Sequence, residues 1–197
     1  MCCGSYPYLL PEKSTQFRCR PNPPFETTDR FKELGPPPSN KARASRMSAA
    51  GISMLYVASN QDTALYETAD RPGKFAIAEF STTRNLIVLD LASFQSIEDH
   101  RFRSLRGVIV EDISKPIERD DRVHTEYVPT QIFTEQFSYN WYDDQNRPIE
   151  GLRYPSSITG DASYVLFFNQ PEFLLDGSPF ILENYKELDL SPNQLEF

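Results

Sequence analysis

The chain has 197 residues, 39% of them hydrophobic and 13% aromatic, and a formal net charge of -8. That length fits one domain able to bury roughly 70% of the surface its unfolded chain would expose, and the composition excludes a disordered chain. The acidic balance argues against a nucleic-acid partner, because affinity for phosphate backbones comes from many Lys and Arg. No apolar run approaches the ~20 residues of a membrane span, and the N-terminus lacks the basic and apolar regions of a signal peptide. No membrane partner is therefore expected. Cys2, Cys3 and Cys19 make an odd count with no CxxC pair. They suit neither a disulfide framework nor a zinc ribbon, so reduced thiols and a cytoplasmic location are expected.

Residues 1–40 read as irregular, because Pro21, Pro23 and Pro24 and then Pro36, Pro37 and Pro38 interrupt any regular element. One extended piece, TQFRCR, is able to pair with a sheet. Gly51–Ser59 reads as a buried strand with Ile52, Met54, Tyr56 and Ala58 on one face. Asn60 is a good N-cap, and Asp62 suits the first turn of the helix that TALYETA forms. Ala64, Leu65 and Thr68 give that helix its packing side.

Phe75–Thr82 and Asn85–Ala92 are the next two strands. HRFRSLRGVIVEDI sets Phe102, Leu105, Val108, Ile109 and Ile113 at helical intervals, weakened by Gly107. A charged loop with Glu118, Asp120 and Asp121 follows. A helix then opens at Pro129, with Ile132, Phe133, Phe137 and Trp141 as its apolar stripe. A turn around Asn146–Pro148 leads to a short strand, Leu152–Tyr154. ASYVLFFN and FILENYKELDL are the last two strands. Strands and helices mix without a regular βαβ period, so the class is α+β.

Several catalytic patterns are absent. There is no GxxxxGK[ST], no GxGxxG after a strand and no HExxH. Only His100 and His124 are present, and neither lies in a recognisable motif. A mechanism here should need neither metal nor imidazole. Cleavage of the nicotinamide–ribose bond of NAD+ meets that condition, because the leaving group departs neutral and needs no general acid. The chemistry asks for a carboxylate near a cationic transition state and for arginines on the pyrophosphate.

The stretch RMSAAGISMLYVASNQDTALYE (46–67) resembles the first core motif of RES-domain proteins, through Arg46, Gly51, Tyr56, Ala58, Thr63, Ala64 and Glu67. EYVPTQ and GLRYPSS are similar to that family's second half, through Tyr127, Pro129, Thr130, Gln131, Gly151, Tyr154 and Ser156. The early arginine of the family is matched by Arg18, with Arg20 as the alternative. The resemblance spans roughly residues 17–190, and it leaves 1–16 as an irregular N-terminal arm before a 17–197 domain.

The resemblance implies an ADP-ribosyltransferase-like fold: two small, mostly antiparallel β-sheets with surrounding helices forming an NAD+ cleft. It implies a toxin of the toxin–antitoxin kind that degrades NAD+. Phosphorolysis would give nicotinamide and ADP-ribose 1″-phosphate, with inorganic phosphate as co-substrate; hydrolysis is the variant. No separate cofactor or metal is implied, and an antitoxin or inhibitory domain would occlude the cleft. Glu67, Arg46 and Ser156 carry over as catalytic residues, with Ser157 as a substitute for Ser156. Arg18, Arg20, Tyr56, Gln131 and Tyr127 carry over as NAD+-binding residues. In this role Tyr56 would set its ring or hydroxyl against the nicotinamide ribose. Two departures stand out: Ser48 where the family usually has Asn, and Gly160-Asp161-Ala162-Ser163 where it tends to a glycine–asparagine region. Transfer of ADP-ribose to a protein, and a non-catalytic nucleotide-binding module, are the rival readings.

Overall fold

A computed structural model describes residues 7–23, 29–91, 127–143 and 145–191. The expected helix over 100–113, the charged loop after it, both histidines, Cys2 and Cys3 lie outside the described residues. The described residues form an α+β fold. Its strands are β1 (Pro7–Leu10), β2 (Thr15–Pro21), β3 (Leu55–Ala58), β4 (Gly73–Thr82), β5 (Leu86–Asp90), β6 (Gly151–Pro155), β7 (Ala162–Leu166) and β8 (Phe180–Leu190). Its helices are α1 (Arg30–Leu34), α2 (Gln61–Thr68), α3 (Val128–Asn140) and α4 (Gln170–Phe173), with a 3-10 turn at Ser39–Lys41.

All eight strands belong to one sheet, ordered β1-β5-β6-β7-β3-β2-β4-β8. This corrects the expectation of two sheets. The join is narrow, since β2 and β3 share the single register pair Phe17↔Ala58. By contrast β2 meets β4 over seven pairs, from Thr15↔Ser81 to Pro21↔Phe75. Every pairing is antiparallel except β5 with β6. Residues directly opposite each other point to the same face, so these registers sort the side chains.

One face carries Tyr56 and Ala58 of β3, Ser163 and Val165 of β7, and Leu152 and Tyr154 of β6. Through Phe17↔Ala58 the same face continues to Cys19, Phe75 and Ile77. Helix α3 covers the five-stranded half of this face, with Phe133 and Phe137 buried against Ile87, Leu89, Leu152 and Val165. Helix α2 covers the three-stranded half, with Ala64 packed against Cys19, Ala58, Phe75 and Ile77. The narrow join between β2 and β3 therefore lies between the two helices. The opposite face buries Leu55, Val57, Phe80 and Leu166 with Leu34 and Phe173, which belong to α1 and α4.

Several elements agree with the sequence reading. Helix α2 starts at Asn60, whose Oδ1 accepts from the Thr63 backbone N–H at 2.8 Å. Helix α3 has Pro129 in its first turn. Its stripe is partly different from the one expected. Ile132 is 62% exposed, and Thr130 and Thr134 are buried beside Phe133 and Phe137. Those threonines are kept inside by hydrogen bonds to the loop that follows the 3-10 turn, described below. Within the expected irregular arm, Pro7–Leu10 pairs with β5. Two short helices were also missed, α1 and α4. Each is capped by a side chain, Asp29 Oδ1 accepting from the Lys32 N–H and Asn169 Oδ1 from the Glu172 N–H. No helix among the described residues is long and apolar enough to cross a membrane. Cys19 is a free, buried thiol, and burial pushes its pKa up to about 12, which makes it inert at neutral pH.

Candidate functional site

The loop carrying Arg46 is braced from two sides. On the sheet side the hydroxyls of Ser45, Ser48 and Tyr56 form a closed triangle, with Ser45–Tyr56 at 2.5 Å, Ser45–Ser48 at 2.9 Å and Ser48–Tyr56 at 3.0 Å. Each hydroxyl has one proton to donate, so the triangle uses all three. The Tyr56 oxygen also accepts from the Met47 backbone N–H. On the helix side Thr130 donates to the Arg46 carbonyl at 2.5 Å, and Gln131 Nε2 donates to the Ser45 carbonyl at 2.7 Å and the Ser48 carbonyl at 3.2 Å. Met47 is buried beneath the loop, within 3.4 Å of Thr134 Oγ1.

Two expected binding residues thus have their polar groups engaged within the fold. The Tyr56 hydroxyl is fully engaged in holding the loop, and the Gln131 amide is spent on backbone carbonyls. Tyr127 opens α3, and its carbonyl accepts from Thr130 and Gln131. Ser48, which stands where the family usually has Asn, is buried and belongs to the triangle. Its change therefore bears on the bracing of the loop. Tyr56→Phe is expected to lower the unfolding free energy by about 1–2 kcal/mol, since it removes several bonds but leaves the two serines paired. A shift of the urea midpoint at constant slope would measure it.

Arg18 lies where β2 and β3 diverge beyond Phe17↔Ala58. Its Nη1 donates to the Tyr56 carbonyl at 2.8 Å, and its Nε is buried without a partner. Burial, and then the charge of Arg20, pull its pKa down to about 9. It remains a cation at neutral pH. No carboxylate among the described residues pairs with it. Arg20 is accounted for differently. Its Nη1 donates to the carbonyls of Glu33 (3.0 Å) and Gly35 (3.3 Å), the open C-terminal carbonyls of α1.

Glu67 sits in the last turn of α2 and is exposed. It forms no hydrogen bond or ion pair among the described residues. It lies four residues after Thr63, on the same side of the helix. That side faces the β6–β7 turn: Thr63 Oγ1 meets Thr159 Oγ1 at 2.9 Å, and Asn60 Nδ2 donates to Asp161 Oδ2 at 3.1 Å. Ser156 opens that turn. It is buried, and its Oγ accepts from the backbone N–H groups of Ile158 (3.2 Å) and Thr159 (3.3 Å). Gly160 closes the turn at φ +78, a conformation that favours glycine. Ser156 therefore shapes the turn, and Ser157 is the exposed serine of the pair.

The sequence reading named Tyr154 among the residues that carry the resemblance but gave it no role at the site. Tyr154 is half-buried and packs on the same apolar cluster as Tyr56. Burial holds its phenol well above the usual range. The negative charge of Glu67 adds to that, and the positive charge of Arg46 opposes it. One phenol thus feels both the carboxylate of α2 and the guanidinium of the braced loop. The signal was present in the sequence as alternation with buried Leu152, but its neighbours depend on strand register.

The patch gathers Arg46, Glu67, Tyr56 and Tyr154 between α2 and α3, with Ser156 in the adjoining turn and Arg18 at the join below. It offers cationic groups for an anion and an open carboxylate for a cation or for hydroxyl donors. Among the described residues no group of His, Cys, Asp or Glu could hold a metal ion. No curated protein matches the chain in sequence. The RES domain family model matches residues 15–190, from the first residue of β2 to the last of β8. With nearly its whole length covered by that match, the chain belongs to the RES domain family.

Proposed function

We propose that this protein cleaves the nicotinamide–ribose bond of NAD+, with inorganic phosphate as the acceptor. The observation that carries the reading is an open carboxylate, Glu67, set across a tyrosine-lined patch from a braced arginine, with a half-buried arginine, Arg18, at the β2–β3 join on the other face of the sheet and without a carboxylate partner among the described residues. An arginine in a low-dielectric setting with no counter-charge favours an anionic ligand. The dinucleotide pyrophosphate and free phosphate are both such ligands. The pinch between β2 and β3 supports an ADP-ribosyltransferase-like cleft at this point of the sheet.

In this reading the bond from the ribose C1″ to the pyridinium nitrogen breaks, and its electron pair leaves with nicotinamide, which departs neutral. C1″ takes on oxocarbenium character, which the Glu67 carboxylate stabilises. A phosphate oxygen then forms the new bond to C1″, giving ADP-ribose 1″-phosphate. Arg46 and Arg18 hold the phosphates, so that the anionic acceptor is kept beside an anionic substrate. Ser156 keeps the β6–β7 turn in place next to α2. Loss of NAD+ would make the activity growth-inhibitory, in keeping with a toxin role, and an antitoxin would act by covering the patch.

The test is incubation of the purified chain with NAD+, with and without phosphate, and identification of the products. Nicotinamide together with ADP-ribose 1″-phosphate is the expected result. Free ADP-ribose irrespective of phosphate would replace phosphorolysis by hydrolysis. Label fixed on a macromolecule would make it a transferase. No nicotinamide under any condition would remove the reading altogether.

A further inference from the structure

We propose that Tyr154 contacts the ligand, its hydroxyl acting with the Glu67 carboxylate to hold the vicinal hydroxyls of a ribose. This rests on the NAD+ reading of the patch and adds a residue to it. Register places Tyr154 opposite Ser163, and Ser163 opposite Ala58, two residues along β3 from Tyr56. All of them therefore share the face between α2 and α3. The turn that follows Tyr154 is bonded to the start of α2 through Thr63–Thr159 and Asn60–Asp161. Those bonds set the helix that carries Glu67 beside the strand that carries Tyr154.

The two tyrosines of the patch differ in what their hydroxyls do. That of Tyr56 is engaged with Ser45, Ser48 and Met47. That of Tyr154 has no hydrogen-bond partner among the described residues. Beside it, Ser163 Oγ is buried and also without a partner. A buried hydroxyl is normally satisfied, so the unmet Ser163 Oγ, beside a Tyr154 hydroxyl that is not enclosed and next to an open carboxylate, points to a polar ligand.

The donor pattern narrows the class of ligand. An ionised carboxylate only accepts, whereas a neutral phenol also donates. Each hydroxyl of a diol both donates and accepts. A vicinal diol can therefore donate to Glu67 and accept from Tyr154 at once. A phosphate is a poor match at this position, because it would meet the Glu67 charge. That separates the sugar position from the arginine positions.

The experiment compares wild type, Tyr154→Phe and Tyr56→Phe with NAD+ and with the analogues lacking either the 2″- or the 3″-hydroxyl of the nicotinamide ribose. Tyr154→Phe should leave the urea midpoint unchanged and lower kcat/KM for NAD+ about tenfold, the loss of roughly one ligand hydrogen bond. It should also lose the wild-type preference for NAD+ over one of the two analogues. A purely structural role would not alter that preference. Wild-type turnover with a Tyr154→Phe variant of equal kcat/KM and equal preference would overturn the Tyr154 assignment alone. A wild-type chain that neither binds nor cleaves NAD+ would overturn both the assignment and the NAD+ reading.

Discussion

Glu67→Gln is expected to lower NAD+ cleavage by at least ~100-fold, the scale seen when an electrostatic stabiliser of a transition state is removed. Stability should change by no more than ~0.5 kcal/mol, because the side chain is exposed and has no hydrogen bond or ion pair among the described residues. The amide keeps the shape and removes the charge. The fall should therefore appear in kcat, with little change in KM, because the charge matters most when C1″ becomes cationic. Steady-state kinetics of nicotinamide release, alongside thermal unfolding of the same sample, would measure both quantities. Full activity in Glu67→Gln would remove the carboxylate from the mechanism and leave the patch without its central group.

Arg18→Met should separate binding from stability. Arg18 is half-buried, the Nε of its guanidinium is enclosed without a partner, and burial with Arg20 nearby pulls its pKa down to about 9. The fold therefore holds this cation at a cost. Replacing a buried charged group with an apolar one of similar length is often neutral or stabilising, here offset in part by the lost bond to the Tyr56 carbonyl. The variant should unfold at the same or a higher temperature than wild type, with KM for NAD+ raised at least ~10-fold through loss of a charge-assisted phosphate contact. A large drop in melting temperature would instead make Arg18 a structural bridge across the β2–β3 join. In that case this cation would no longer speak for an anionic ligand.

Much of the site's framework was readable locally. Asn60 announces α2 because its side chain takes up an N–H that the helix leaves unpaired. Pro129 announces α3 in the same way, by needing no hydrogen bond of its own. The strands β4 and β8 show their β-forming runs plainly. By contrast α1, with five residues, and α4, with four, are too short for a periodic signal and depend on packing. Phe31 of α1 stacks on Phe173 of α4 at 4.3 Å between ring centroids, an arrangement made by contacts about 140 residues apart in the chain. Strand β1 sits in a proline-bounded stretch and acquires order only by pairing with β5.

The sequence alone determined the α+β class, the order of most elements and the RES motifs with Arg46, Glu67 and Ser156, because caps, turn residues and alternation act over a few neighbouring positions. Only the tertiary structure decided that the strands make one sheet pinched at Phe17↔Ala58, that Tyr56 braces a loop while Tyr154 stands open, and that Ser156 serves a turn. Register and hydroxyl pairing are settled by segments far apart in the chain. A tyrosine has the same local pattern whether its oxygen meets a serine, a ligand or water.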